Sequence, residues 1–149
     1  MKKTIVLALV LLSSVALKAQ SPITWTFSAT KVADKKYEIH MTAAIQPGWH
    51  LFSQTQPEDA IAIPTGFTIN PNPLLAMDGK IKEVGKVEKF HDAKLEISAS
   101  QYSNKVDFVQ VVKLKAKAKT NVTGIVEFQT CNDEKCLPPK KLNFSVALN

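Results

Sequence analysis

Arginine is missing from this chain: every one of its 19 basic residues is a lysine. Phosphate and base-edge recognition draw on the planar, bidentate guanidinium fork, so its absence argues against a nucleic-acid partner. Cysteine is nearly as scarce. Cys131 and Cys136 are the only two, which excludes a disulfide-dense scaffold. Beyond the N-terminus no stretch of about ten or more residues repeats its apolar positions with a period of 3.6, so little helix is expected. No Gly-rich phosphate loop, Ser-His-Asp arrangement or paired-carboxylate motif is recognisable, and hydrolase chemistry has no support. His40, His50 and His91 are side chains a soft metal would accept, but no two fall at ligand spacing. They are read as ordinary hydrogen-bonded residues on strands.

The one long apolar run is at the start. Lys2 and Lys3 precede apolar residues 4–17, a run too short to cross a bilayer and of signal-peptide length. It stops at Lys18, and Ala19 offers a cleavage point that makes Gln20 the first residue of the exported chain. Residues 1–19 are therefore expected to be a signal peptide and residues 20–149 one periplasmic or secreted domain. Losing Lys2, Lys3 and Lys18 lowers the formal charge from +6 to +3, a balance that calls for no polyanionic partner. The 130 residues that remain of 149 are enough to bury a real core. A monomer without a cofactor is expected.

What the chain does have is period-two alternation. Trp25, Phe27 and Ala29 alternate with Thr24, Thr26, Ser28 and Thr30, as in a half-buried strand. The pattern returns at Tyr37, Ile39 and Met41, then at Val106, Phe108, Val112, Leu114 and Ala116. It appears again at Val122, Val126 and Phe128, and finally at Leu142, Phe144, Val146 and Leu148. Turn signals at Gln46-Pro47-Gly48, Asp78-Gly79 and residues 118–121 separate these runs. Short strands at this spacing predict an all-β, immunoglobulin-like antiparallel β-sandwich. Residues 54–77, rich in Pro and Asn, read as a long connection between sheets, and Lys113, Lys115, Lys117 and Lys119 as one solvated strand face.

Cys131 and Cys136 lie between two strong strand patterns, in Phe128-Gln129-Thr130-Cys131-Asn132-Asp133-Glu134-Lys135-Cys136-Leu137-Pro138-Pro139. A strand ending near Thr130 and a return strand resuming by Leu142 would bring the two Cβ atoms within bridging range. A loop of about six residues stabilises by only about 2 kcal/mol, so the bridge is a weak clamp. On the residues alone, three readings stand: a redox exchange domain, a non-catalytic binding or assembly module with an inert disulfide, and a metal carrier using the cysteine loop. Lys135 and Lys140 would favour a thiolate while Asp133 and Glu134 oppose one, so the order of attack is left open.

The string Val126-Glu127-Phe128-Gln129-Thr130-Cys131, with Cys136-Leu137-Pro138-Pro139 after it, resembles the N-terminal domain of the thiol:disulfide interchange protein DsbD. That family carries an aromatic-Gln-x-Cys segment, then a second cysteine, one residue and Pro-Pro. Ala44-Ile45-Gln46-Pro47-Gly48-Trp49-His50-Leu51-Phe52-Ser53 is similar to its Gly-aromatic-x-Leu-aromatic strand, and Gly85-Lys86-Val87-Glu88 adds a fainter match. The resemblance implies an immunoglobulin-like periplasmic domain with Cys131 and Cys136 as its exchanging pair. Such a domain takes electrons from a membrane-embedded or thioredoxin-like donor and passes them to oxidised periplasmic proteins. The family's full-length proteins continue into a transmembrane and a thioredoxin-like domain, whereas this chain stops at Asn149, so a separate donor is expected. The family's cap loop carries adjacent aromatics before its Gly-Lys pair. Glu83 and Val84 stand there here, so shielding of the cysteines is expected from Phe52, Phe90 or His91.

Overall fold

Period-two burial is clearest where one face of a strand meets the core. Tyr37, Ile39, Met41 and Ala43 are buried while Lys36, Glu38, His40 and Thr42 are only half-buried between them. The structure, a computed structural model, describes residues 21–149, so the expected signal peptide lies outside the described residues. Those residues form strands and turns without helix. The strands are β1 (Ile23–Ala33), β2 (Lys36–Ile45), β3 (His50–Phe52), β4 (Gly66–Ile69), β5 (Leu75–Val84), β6 (Glu88–Asp92), β7 (Ile97–Tyr102), β8 (Lys105–Leu114), β9 (Thr120–Phe128), β10 (Thr130–Cys131) and β11 (Lys140–Leu148). They hydrogen-bond in the orders β1-β2-β8-β5, β10-β3-β7-β6 and β11-β9-β4. Every pairing is antiparallel.

Aromatic contacts show how the sheets face each other. Trp25 of β1 meets Phe67 of β4 at 6.0 Å and Phe128 of β9 at 5.4 Å, and Phe27 stacks on Phe144 of β11 at 4.9 Å. The first and third sheets thus form the two layers of an immunoglobulin-like sandwich. Tyr102 of β7, edge-on to Phe108 at 6.5 Å, brings the second sheet onto the same core. Ile39, Met41, Val106, Phe108, Val112, Val122 and Val126 at its centre have no exposed surface. Each such burial stabilises by about 1.5–3 kcal/mol. This core is separate from the small cluster of Phe52, Ala99 and Cys131, which carries the cysteine site.

The Gln46-Pro47-Gly48 turn forms as expected: Trp49 N–H donates to the Gln46 carbonyl at 3.1 Å, and Gly48 takes φ +79°. Asp78-Gly79, by contrast, is no turn between strands. Gly79, at φ +78°, lies in a bulge inside β5, where the register jumps between Asp78↔Val111 and Lys82↔Val109. A left-handed glycine serves a bulge as well as a hairpin. The buried Gln110 opposite it donates to the Gly79 carbonyl at 3.2 Å. Residues 54–77 also hold more structure than a connection: β4 forms there and β5 begins. Finally, β8 ends at Leu114, so Lys115, Lys117 and Lys119 belong to the following loop and make no strand face. Lys113 instead pairs with Asp78 at 3.0 Å.

Candidate active site

The turn that carries the cysteines is built by side chains that hydrogen-bond backbone. Asn132 Oδ1 accepts from the Glu134 N–H at 3.0 Å and the Lys135 N–H at 2.8 Å, while Asn132 N–H donates to the Lys135 carbonyl at 2.9 Å. An asparagine closes such a turn because its short amide mimics a backbone carbonyl. One step outward, Leu137 N–H donates to the Thr130 carbonyl at 2.9 Å. Cys131 and Cys136 thereby oppose each other as an antiparallel bridge, their Cα atoms 4.0 Å apart, and are joined as a disulfide. Pro138 and Pro139 offer no N–H, and the β9–β11 ladder resumes only at Lys140↔Phe128. Gln129 ties the base of the turn to its surroundings. Its Nε2 donates to the Leu137 carbonyl at 3.2 Å and its Oε1 accepts from the Ile63 N–H at 3.1 Å.

The two cysteines are not equally exposed. Cys131, on β10, is 8 % exposed and packs on Phe52 and Ala99, with Ala62 of the β3–β4 connection against the same cluster. Cys136 is exposed. β10 pairs with β3 through Thr130↔Leu51 and Cys131↔His50. Leu51 turns into the main core, and His50 and Phe52 share the face of Cys131. Nδ1 of His50 is 2.9 Å from Ser103 Oγ, and Nε2 is 3.9 Å from Asp133 Oδ1.

Of the residues expected to shield the pair, Phe52, at 4 % exposure, packs on Cys131, while Cys136 stays exposed. Phe90 lies on β6, opposite Ala99, and keeps an exposed ring. His91, the next residue, turns to the other face and meets Ser98 Oγ at 3.0 Å. Glu83 and Val84 form the end of β5, opposite Phe108 and Asp107. The Glu83 carboxylate accepts from Ser53 Oγ at 2.8 Å, Gln54 N–H at 2.6 Å and Tyr102 O–H at 2.5 Å, clamping β3 to β5 and β7. Gly85 follows because a Cβ there would press the Tyr102 ring at 3.3 Å. His40 meets Asp107 at 2.7 Å, so the three histidines stand apart, and only His50 adjoins the disulfide. Sequence reading took His50 as an ordinary strand histidine and did not single out Ala62, since the nearness of each to Cys131 comes from tertiary pairing or packing.

Comparison with known proteins places the chain's family and fold. Residues 16–148 match the family described as thiol:disulfide interchange protein DsbD, N-terminal. A search of curated protein sequences finds no significant match. Among solved structures, the fold is similar to the reduced DsbD N-terminal domain of Neisseria meningitidis, with a TM-score of 0.55 and 17% identity over 86% of each chain. It is similar to the same species' DsbD N-terminal domain in complex with the PilB N-terminal domain, with a TM-score of 0.51 and 15% identity over 86% of this chain and 87% of that one. The N-terminal periplasmic domain of ScsB from Proteus mirabilis gives a TM-score of 0.50 and 15% identity over 83% of this chain and 44% of that one. With the family's sequence match spanning nearly all of its length, the chain belongs to the DsbD N-terminal domain family.

Proposed function

We propose that residues 20–149 form one exported domain that relays electrons by thiol–disulfide exchange in the periplasm, with Cys131 and Cys136 as the exchanging pair. The observation that carries this reading is the unequal exposure of the two cysteines in a turn outside the main core. Exchange needs one sulfur that an incoming thiolate can reach in line and one that can leave. A thiolate of a thioredoxin-like or membrane-embedded donor attacks Cys136 Sγ, a mixed disulfide forms, and the electron pair of the broken bond passes to Cys131 Sγ. The donor's second thiol then attacks the mixed disulfide, leaving the donor oxidised and this domain as a dithiol. Running the same steps with an oxidised periplasmic protein returns the disulfide and reduces that protein. Membership of a thiol:disulfide interchange family and the likeness to a domain solved with a protein partner support the relay.

The test is the equilibrium reduction potential of Cys131–Cys136, read by alkylation mass shift across glutathione and dithiothreitol series. A relay is expected above about −300 mV, with rapid exchange. A lower potential with slow exchange would make the bridge structural and the domain a binding module.

A further inference from the structure

We infer that His50 is the proton donor and acceptor for Cys131 during exchange, held by a Glu88–Ser103 relay; this rests on the exchange reading above. The order of protons along that relay follows from the hydrogen bonds. Ser103 Oγ donates its single proton to Glu88 Oε2 at 2.9 Å, so toward His50 it can only accept. Nδ1 of His50, 2.9 Å away, therefore carries a hydrogen, and Nε2 is the nitrogen that gains and loses one. Nε2 points to the turn between the cysteines, 3.9 Å from Asp133 Oδ1. His50 is the direct cross-strand partner of Cys131. Side chains so placed share a face with Cβ atoms about 4.5–5.5 Å apart, within reach of an imidazole.

The charged groups facing His50 come from two elements: Glu88 of β6, 4.0 Å from Nδ1, and Asp133 of the cysteine turn. Asp133 is 97 % exposed and largely screened, whereas the His50 side chain is only 21 % exposed. Chemically the assignment completes the proposed step. When the donor thiolate bonds to Cys136 Sγ and the Cys131–Cys136 bond breaks, the electron pair on Cys131 Sγ takes the Nε2 proton. Neutral His50 is reprotonated from solvent. In the reverse direction Nε2 removes the Cys131 proton before Cys131 closes the ring. Ser103 and Glu88 are positioning residues, acting only through His50.

The experiment follows reduction of the disulfide in the full chain by reduced thioredoxin, with acid quenching and alkylation, between about pH 5 and about pH 8. The native chain, His50→Gln and Ser103→Ala are compared as rate ratios, which cancels the ionisation of the attacking thiol. The native-to-His50→Gln ratio should reach about 10- to 100-fold in acid and fall toward one in base. That is at or below the lower end of what a positioned proton donor contributes, about 100-fold, because a thiolate leaves without full protonation. Ser103→Ala should show a smaller loss with the same trend. A ratio near one throughout, or a loss independent of pH, overturns the assignment. Should His50→Gln fail to fold, a flat ratio for Ser103→Ala overturns it alone. The exchange reading fails separately, and this inference with it, if the native chain reacts no faster than its urea-unfolded form.

Discussion

Reducing the Cys131–Cys136 bond should leave the sandwich folded and remove only about 2 kcal/mol of stability. The bridge spans a sequence separation of 5, and closing a loop of about six residues withholds that much entropy from the unfolded chain. Nothing in the main core depends on it, since Cys131 packs with Phe52 and Ala99 in a separate cluster and Cys136 is exposed. The same quantity sets the redox chemistry through a thermodynamic cycle. Whatever the bond adds to folding, folding adds to the bond, so the folded chain should hold its disulfide only about 45 mV more tightly than the unfolded one. Urea unfolding of oxidised and reduced protein, followed by fluorescence of Trp25 and Trp49, measures the first number. Redox equilibration in and out of denaturant measures the second. Unfolding on reduction, or a loss beyond about 4 kcal/mol, would refute the reasoning, because a structural staple rather than a switch would then be present.

Phe52→Ala should cost about 3–4 kcal/mol in urea unfolding and speed alkylation of Cys131 in the reduced protein, because Phe52 is the aromatic that covers it. Tyr102→Phe removes one of three donors to Glu83 and should cost about 2 kcal/mol at neutral pH. Burial first, and the Glu83 carboxylate second, hold the Tyr102 phenol above its ordinary range. A group raised in the folded state contributes stability that is complete below about pH 10 and drains as the pH climbs toward its folded value. The stability gap between the native chain and Tyr102→Phe should therefore narrow in base, as a pH series of melts would show. Gly124→Ala should lower the melting temperature by more than an ordinary surface change, since a Cβ there collides with the Thr68 carbonyl and the Phe144 ring. The expected cost is about 1–3 kcal/mol, and a neutral result would mean β4 and β11 yield freely around β9.

Legibility in the sequence tracked how one-sided each strand's environment is. β1, β2, β8, β9 and most of β11 lay one face on the core and were readable from alternation alone, although Leu142, at the open end of β11, is 40 % exposed. β6 gave no such signal because Lys89, Phe90 and His91 are all exposed and both its faces meet water. β7 hid its pattern in the small residues Ser98, Ala99 and Ser100, and the bulge at Gly79 broke the alternation of β5. The site divides in the same way. A disulfide between residues five apart is a local matter, fixed by Asn132 and the prolines, and local chemistry is what a sequence displays. Which sulfur is buried is decided elsewhere, by Phe52 on β3, Ala99 on β7 and Ala62 in the connection. These meet Cys131 only because β10 adds two residues to the edge of β3. That same two-residue pairing sets His50 opposite Cys131, so the surroundings that make the two cysteines unequal are tertiary, while the bridge itself is local.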